Sequence, residues 1–225
     1  MPLLSVIVPV YNESKTIRLI LEKINSVALD KEIVVVDDAS TDGTGKILRE
    51  LNYSNLKVIH HTSNRGKGAA FVTGLENATG ELIIIQDGDL EYNPAEYIKL
   101  LEEFKKDNVD MVLGVRFTEG YHGLLIPRLG NRFLTGLLNF LFGVRLNDFL
   151  TCYKLMAKAT LLNLGLKSQR FGLEAEIVTK ALKRKLKIKQ VPISYCPRNY
   201  AEGKKIRMFD GIKEIVNIIK YRFGD

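Results

Sequence analysis

The chain has 225 residues, of which 46% are hydrophobic and 26% charged, and its formal net charge is +7. This composition supports a sizeable core, excludes wholesale disorder, and at this length suits one domain. The basic surplus fits polyanionic partners such as nucleotides, lipid headgroups or nucleic acid, without choosing among them.

The first half alternates in type. Leu4–Val10 is an apolar, β-branched run that reads as a strand, followed by a helix over Ser14–Ser26 with Ile17, Ile20, Leu21 and Ile24 at helical spacing. Glu32–Val36 reads as a strand buried on both faces, Thr41–Leu51 as a helix, Leu56–His60 as a strand and Gly66–Ala78 as a helix. Leu82–Gln86 is a further strand, Pro94–Lys106 a helix opened by proline, and Met111–Val115 a fifth strand. Such alternation predicts a mainly parallel sheet with helices on both faces. The second half is less regular. Thr118–Arg128 reads as a mobile loop, Leu129–Phe142 as an amphipathic helix and Leu173–Lys187 as a helix ending in basic residues. Ile188–Tyr195 reads as a strand, Asn199–Ile206 as a basic loop and Phe209–Phe223 as a last helix. No linker divides the chain, so 1–225 is expected to be one unit, with 1–115 facing the nucleotide and 116–225 the acceptor.

Ligands of parallel sheets bind outside the carboxyl ends of the strands. Four strand ends release charged or small residues there: Asn12-Glu13, Asp37-Asp38, Asn64-Arg65-Gly66-Lys67-Gly68 and Asp87-Gly88-Asp89. Carboxylates two apart on an extended segment point the same way, and Gly88 between them lets a ligand approach the backbone. Two hard oxygens that leave coordination positions open suit Mg²⁺ or Mn²⁺ shared with a diphosphate. Alone, an Asp-x-Asp triplet is a weak signal; after a buried strand it becomes a metal site with Asp87 and Asp89, and Glu91 is either a third ligand or a solvated charge. Adjacent acids at 37 and 38 repel and need compensation, from a helix start, a ribose hydroxyl or a base edge; Asp38 is assigned to the nucleoside. The glycines and cations of 64–68 before a helix read as a phosphate cradle. Neither G-x-x-x-x-G-K-[ST] nor G-x-G-x-x-G occurs, which excludes a P-loop ATPase and a dinucleotide-binding dehydrogenase.

Val8-Pro9-Val10-Tyr11-Asn12-Glu13, Asp37-Asp38-Ala39-Ser40, Asn64-Arg65-Gly66-Lys67-Gly68 and Gln86-Asp87-Gly88-Asp89-Leu90-Glu91-Tyr92 stand in the order seen in family 2 glycosyltransferases, and the chain resembles that family over nearly its whole length. The resemblance implies a GT-A fold, a Rossmann-like nucleotide-sugar domain. Gly114-Val115-Arg116, Arg128, Asn147-Asp148, Cys152-Tyr153-Lys154, Phe171-Gly172-Leu173-Glu174-Ala175-Glu176 and Val191-Pro192-Ile193-Ser194-Tyr195 resemble most the dolichyl- and polyprenyl-phosphate mannose or glucose synthases. Carried over, that likeness puts Pro9, Tyr11, Glu13 and Asp38 around the nucleoside and Lys67 near the base or phosphates. It gives Asp87, Asp89 and Glu91 to the metal, and Arg116 and Arg128 to an acceptor phosphate. It has Arg198 and Lys204 close a basic loop over the diphosphate. Gly88 stands where alanine is expected, which should be harmless, and no transmembrane tail follows Phe223, unlike many relatives.

The expected reaction moves a hexose, with inversion, from a nucleotide-diphospho-sugar (GDP-mannose ahead of UDP-glucose) to polyprenyl phosphate. A phosphate nucleophile is already anionic and needs no strong base, whereas a hydroxyl acceptor would want one, and Asp148 is the best carboxylate for that alternative. A third reading is a non-catalytic nucleotide-sugar-binding subunit of a membrane complex, against which the intact Asp87 and Asp89 argue.

No apolar run reaches the roughly 18–20 residues of a membrane span. Leu134, Leu137, Leu138, Leu141 and Phe142, flanked by Arg128, Arg132 and Arg145, form a stripe that suits either a membrane interface or the core. The expected location is cytoplasmic, peripheral on the membrane or held by a membrane protein, without nucleic-acid binding. Cys152 and Cys196 read as ordinary semi-buried thiols.

Overall fold

The structure, a computed structural model, describes residues 2–116, 125–170, 172–198 and 208–224, the side chains of 125–126 and 208–210 excepted. In the first half β1 (Leu4–Val10), α1 (Ile17–Ser26), β2 (Lys31–Asp37), α2 (Thr44–Glu50), β3 (Leu56–His60), α3 (Lys67–Asn77) and β4 (Leu82–Ile85) alternate. A 3₁₀ turn at Pro94–Glu96, α4 (Tyr97–Phe104) and β5 (Met111–Val115) follow. Then come α5 (Leu125–Phe142), β6 (Lys154–Ala157), α6 (Lys158–Asn163), α7 (Leu173–Lys183), β7 (Ile188–Pro192) and α8 (Met208–Phe223).

The strands form one sheet in the order β3-β2-β1-β4-β6-β5-β7. All neighbours are parallel except β6, which runs antiparallel to β4 and to β5, setting Met156 opposite both Ile83 and Met111. β1 is buried along its whole length because helices cover both faces, which is why its sequence is continuously apolar and not alternating. Ile17, Ile20, Leu21 and Ile24 of α1 are fully buried, as their spacing requires.

Three expectations about elements are corrected. β6 and α6 escape periodicity, because a four-residue strand that opens on a buried lysine, Lys154, breaks the apolar run. α5 starts at Leu125 inside the segment read as a loop, and the loop calls at 117–124 and 199–207 fall outside the described residues. α7 stops at Lys183, where Lys185 takes a left-handed φ of 57°. The stripe left open between a membrane interface and the core turns inward: Leu134 and Leu138 are buried and Leu137, Leu141 and Phe142 pack on the core. Burial against protein satisfies these side chains, so they are not available to lipid. Cys152 is buried and Cys196 exposed, both as free thiols.

Candidate active site

The end of β4 is pinned before its acids begin. Gln86, fully buried, accepts hydrogen bonds at Oε1 from the hydroxyls of Tyr97 and Tyr153, each at 2.6 Å. Gly88 then passes so close to β1 that a Cβ would stand 3.1 Å from Val10 Cγ2, while its carbonyl accepts from Thr16 Oγ1 at 2.9 Å. An alanine there would be tight, and Val10 would have to give by a few tenths of an ångström.

Asp87 and Asp89 are held by different cations. Lys67 Nζ lies 2.7 Å from Asp87 Oδ1 and 2.6 Å from Glu174 Oε1, bridging the two acids. Arg198 ion-pairs with Asp89 through Nη2 and with Glu13 through Nη1 at 3.1 Å, and its Nε is 3.7 Å from Glu91. The Arg198 backbone N–H also donates to Glu91 Oε1 at 2.7 Å, and Tyr195 donates its hydroxyl to Glu91 Oε2 at 2.7 Å. Burial, together with the charges of Asp87 and Glu91, pushes the Asp89 carboxyl up to about 7, although Arg198 pulls the other way. Glu174 moves oppositely: burial acts upward, but Lys67 and Lys154 outweigh it and hold the group at about 2. Lys154, shut inside the sheet, is brought down to about 8 by burial. Five carboxylates, those of Glu13, Asp87, Asp89, Glu91 and Glu174, thus share the cleft with Lys67, Lys154 and Arg198 and leave it short of positive charge.

The expected phosphate cradle is occupied by the protein itself. The N–H groups of Gly68 and Ala69 at the start of α3 donate to the carbonyls of Arg170 (3.3 Å) and Gln169 (2.8 Å). A Cβ on Gly68 would fall 2.1 Å from the Ser168 carbonyl oxygen, so this glycine exists for the close passage of 168–170. Asp38 is likewise engaged: Oδ1 meets His61 Nδ1 (2.7 Å) and the Arg65 N–H (2.9 Å), and Oδ2 accepts from the Gly66 N–H (2.6 Å). Its neighbour Asp37 meets His60 Nδ1 at 3.0 Å and the Ser40 N–H at 3.0 Å. Two histidines outside the sequence motifs thus pair with the two acids. Asn12, at φ 53°, accepts from the Thr41 N–H at 2.8 Å and ties the loop after β1 to the loop after β2. Pro9 is buried within β1, and Tyr11 is 40% exposed at its end.

Arg116 and Asp148 form a separate unit. The guanidinium donates to both oxygens of the fully buried Asp148, at 2.7 Å and 2.8 Å, and the Arg116 backbone N–H donates to Oδ2 at 3.2 Å. Arg116 also stands over the ring of Tyr195, 5.3 Å from its centroid, and so touches the residue that holds Glu91. Tyr195 joins the acid cluster to this pair, a link that sequence shows only through the family motif. Arg128 is exposed on α5 and, with Asn131, Arg132, Thr135, Asn139 and Asn147, lines a cavity of about 420 Å³. Lys204 lies outside the described residues.

The family model for glycosyl transferase family 2 matches residues 5–163, from β1 to the end of α6. The chain belongs to family 2. Its relatives include glycosyltransferase AglJ of Haloferax volcanii, 30% identical over 86% of this chain and 63% of that protein. They also include the uncharacterised MJ1222 of Methanocaldococcus jannaschii, 30% identical over 95% and 90% respectively. The low-salt glycan biosynthesis hexosyltransferase Agl6 of H. volcanii is 30% identical, and the chain spans 48% of its length. Among solved structures, glucosyl-3-phosphoglycerate synthase of Mycobacterium tuberculosis with UDP superposes with a TM-score of 0.76 at 20% identity, covering 98% of this chain and 80% of that one. The same enzyme with Mn²⁺, UDP-glucose and phosphoglyceric acid superposes with a TM-score of 0.73. These likenesses establish the GT-A fold for the family 2 chain.

The narrower subgroup is corrected. The structural neighbours are phosphoglycerate-glucosylating enzymes with uridine nucleotides, in place of the expected polyprenyl-phosphate synthases with GDP-mannose. Arg116, the residue expected on an acceptor phosphate, turns Nε and Nη2 of its guanidinium to Asp148. The membrane expectations are corrected with it: the apolar stripe packs on the core, and among the described residues no helix is long and apolar enough to cross a membrane.

Proposed function

We propose that the chain is an inverting glycosyltransferase that moves glucose from UDP-glucose to a hydroxyl group of a small acceptor, in the cytoplasm, with Mg²⁺ or Mn²⁺. The observation that carries this reading is the acid cluster at the carboxyl end of β4, where Asp89 is pushed up to about 7 by burial and by Asp87 and Glu91. Such a cluster fits a divalent cation. Among the described residues no three acid, histidine or cysteine side chains enclose a metal by themselves, so Asp87 and Asp89 would hold it from one side and leave positions for a diphosphate. When bound, the cation supplies positive charge against the negative charge that grows on the departing UDP.

The chain's own residues do the rest. Lys67 fixes Asp87 and Glu174 in place, and Gln86 with its two tyrosines sets the height of the Asp87–Asp89 segment. The loops after β1 and β2, joined by Asn12 and Ser40, form the floor under Tyr11 where the nucleoside would lie. Asp148 is not the base expected for a hydroxyl acceptor, because both its oxygens hold Arg116 inside the protein; the acceptor's proton passes to water as its oxygen bonds the anomeric carbon and the bond to UDP breaks. Its part is to position Arg116 against Tyr195. The cavity carrying Arg128 and Arg132 matches an acceptor with an anionic group, of which phosphoglyceric acid is the example that the structural neighbours offer.

The test is release of nucleoside diphosphate from UDP-glucose and, in parallel, from GDP-mannose, with and without EDTA and a panel of hydroxyl acceptors including 3-phosphoglycerate. UDP release that needs both metal and acceptor is expected. Turnover of GDP-mannose alone, or turnover unaffected by EDTA, would overturn the reading.

A further inference from the structure

Arg198 stands inside the acid cluster and not at its rim. Its guanidinium is ringed by Glu13, Asp89 and Glu91, and 18% of its side chain is exposed. A guanidinium and a divalent ion cannot both take the same oxygens. Asp89 Oδ1 accepts from the Glu91 N–H while Oδ2 is on Arg198, so metal entry at Asp89 competes with this ion pair. The backbone around Arg198 favours the arrangement. Tyr195 and the Arg198 N–H both bond to Glu91, the Cys196 N–H donates to the Glu91 carbonyl at 2.9 Å, and Tyr92 and Tyr195 form a β-bridge. The segment 195–198 is thereby stapled beside the Asp87–Glu91 turn.

We propose that Arg198 is an internal place-holder for the divalent cation: it neutralises Glu13 and Asp89 in the metal-free chain and has to be displaced for the cation to bind. This deepens the cation-dependent reading above and rests on it. Its consequence is that the cation binds weakly to the chain alone. Donor binding then promotes metal uptake, because the diphosphate brings oxygens for the metal and negative charge for the displaced guanidinium. Without Arg198 the acids would repel one another and lower the stability of the metal-free chain, while leaving the metal unopposed.

Mn²⁺ is titrated into the full chain and followed by the loss of its free-ion paramagnetic resonance signal, with and without UDP. Arg198→Gln is expected to bind Mn²⁺ about tenfold more tightly than the wild type without UDP, a difference near 1.4 kcal/mol, and the gap should narrow with UDP. Thermal melting gives an independent reading: Mn²⁺ should raise the melting temperature of Arg198→Gln more than that of the wild type, and Arg198→Lys should fall between. Equal or weaker Mn²⁺ binding by Arg198→Gln, with uptake by the wild type plus UDP intact, would overturn the place-holder and leave the metal site standing. Failure of the wild type to bind Mn²⁺ even with UDP would overturn both.

Discussion

Asp89 is buried between two like charges, Asp87 and Glu91, and meets one opposite charge, Arg198. A group so placed has no slack, so Asp89→Asn should lower kcat/KM about 100-fold or more, by weakening the hold on the cation. Steady-state kinetics over a range of Mn²⁺ concentration would show it, and rescue at high Mn²⁺ would locate the defect in metal binding. Glu174 provides the pH signature. Its folded value of about 2 lies below its ordinary 4.5, so it adds stability above that ordinary value and loses it as pH falls towards 2. The contribution is on the order of 3 kcal/mol. Urea midpoints measured between pH 5 and 2.5 should fall more steeply for the wild type than for Glu174→Gln; parallel slopes would refute the assignment. Asp148→Asn would leave the Arg116 charge buried without its partner, at a cost of about 3–5 kcal/mol. Denaturant unfolding should record that loss, with the pH optimum of the remaining activity unmoved, as befits a positioning residue.

At the scale of elements, the glycines separate two kinds of position. Gly68 at the start of α3 lies under the 168–170 backbone, so Gly68→Ala should cost about 1–3 kcal/mol through forced displacement. Gly136 sits exposed within α5 with nothing within 4 Å of an added Cβ. Gly136→Ala should therefore stabilise by about 1 kcal/mol through helix propensity. Thermal melts of the two variants shifting in the same direction would contradict this packing account. These positions also show what sequence carries. The parallel strands were legible because a strand covered on both faces must be continuously apolar, and the helices because their buried stripes repeat at helical spacing. β6 was not legible, since its place between β4 and β5 is decided by long-range pairing and its first residue is a buried lysine. The role of Gly68 was misread for a similar reason: a glycine before a helix looks the same whether a phosphate or a chain segment a hundred residues away approaches it.

At the scale of the molecule, the site is assembled from segments far apart in the chain: Glu13, Lys67, Asp87–Glu91, Glu174 and Tyr195–Arg198. The Asp-x-Asp pair and its position at a strand end were visible in sequence, because strand-end chemistry follows from topology. Which cation meets which acid was not, because Lys67–Glu174 and Arg198–Glu13 are contacts across the whole fold. The acceptor was the least legible part, since Arg116 looks like a phosphate ligand until Asp148 is found on its guanidinium. The most direct test of the account is proton NMR of a mixture of the chain, Mg²⁺, UDP-glucose and 3-phosphoglycerate. The account predicts loss of the UDP-glucose anomeric signal and growth of a new one with the large coupling of the inverted β-anomer, both abolished by EDTA. Donor left intact in the presence of this acceptor and other small hydroxyl acceptors, or a product that keeps the donor's α-configuration, would contradict it.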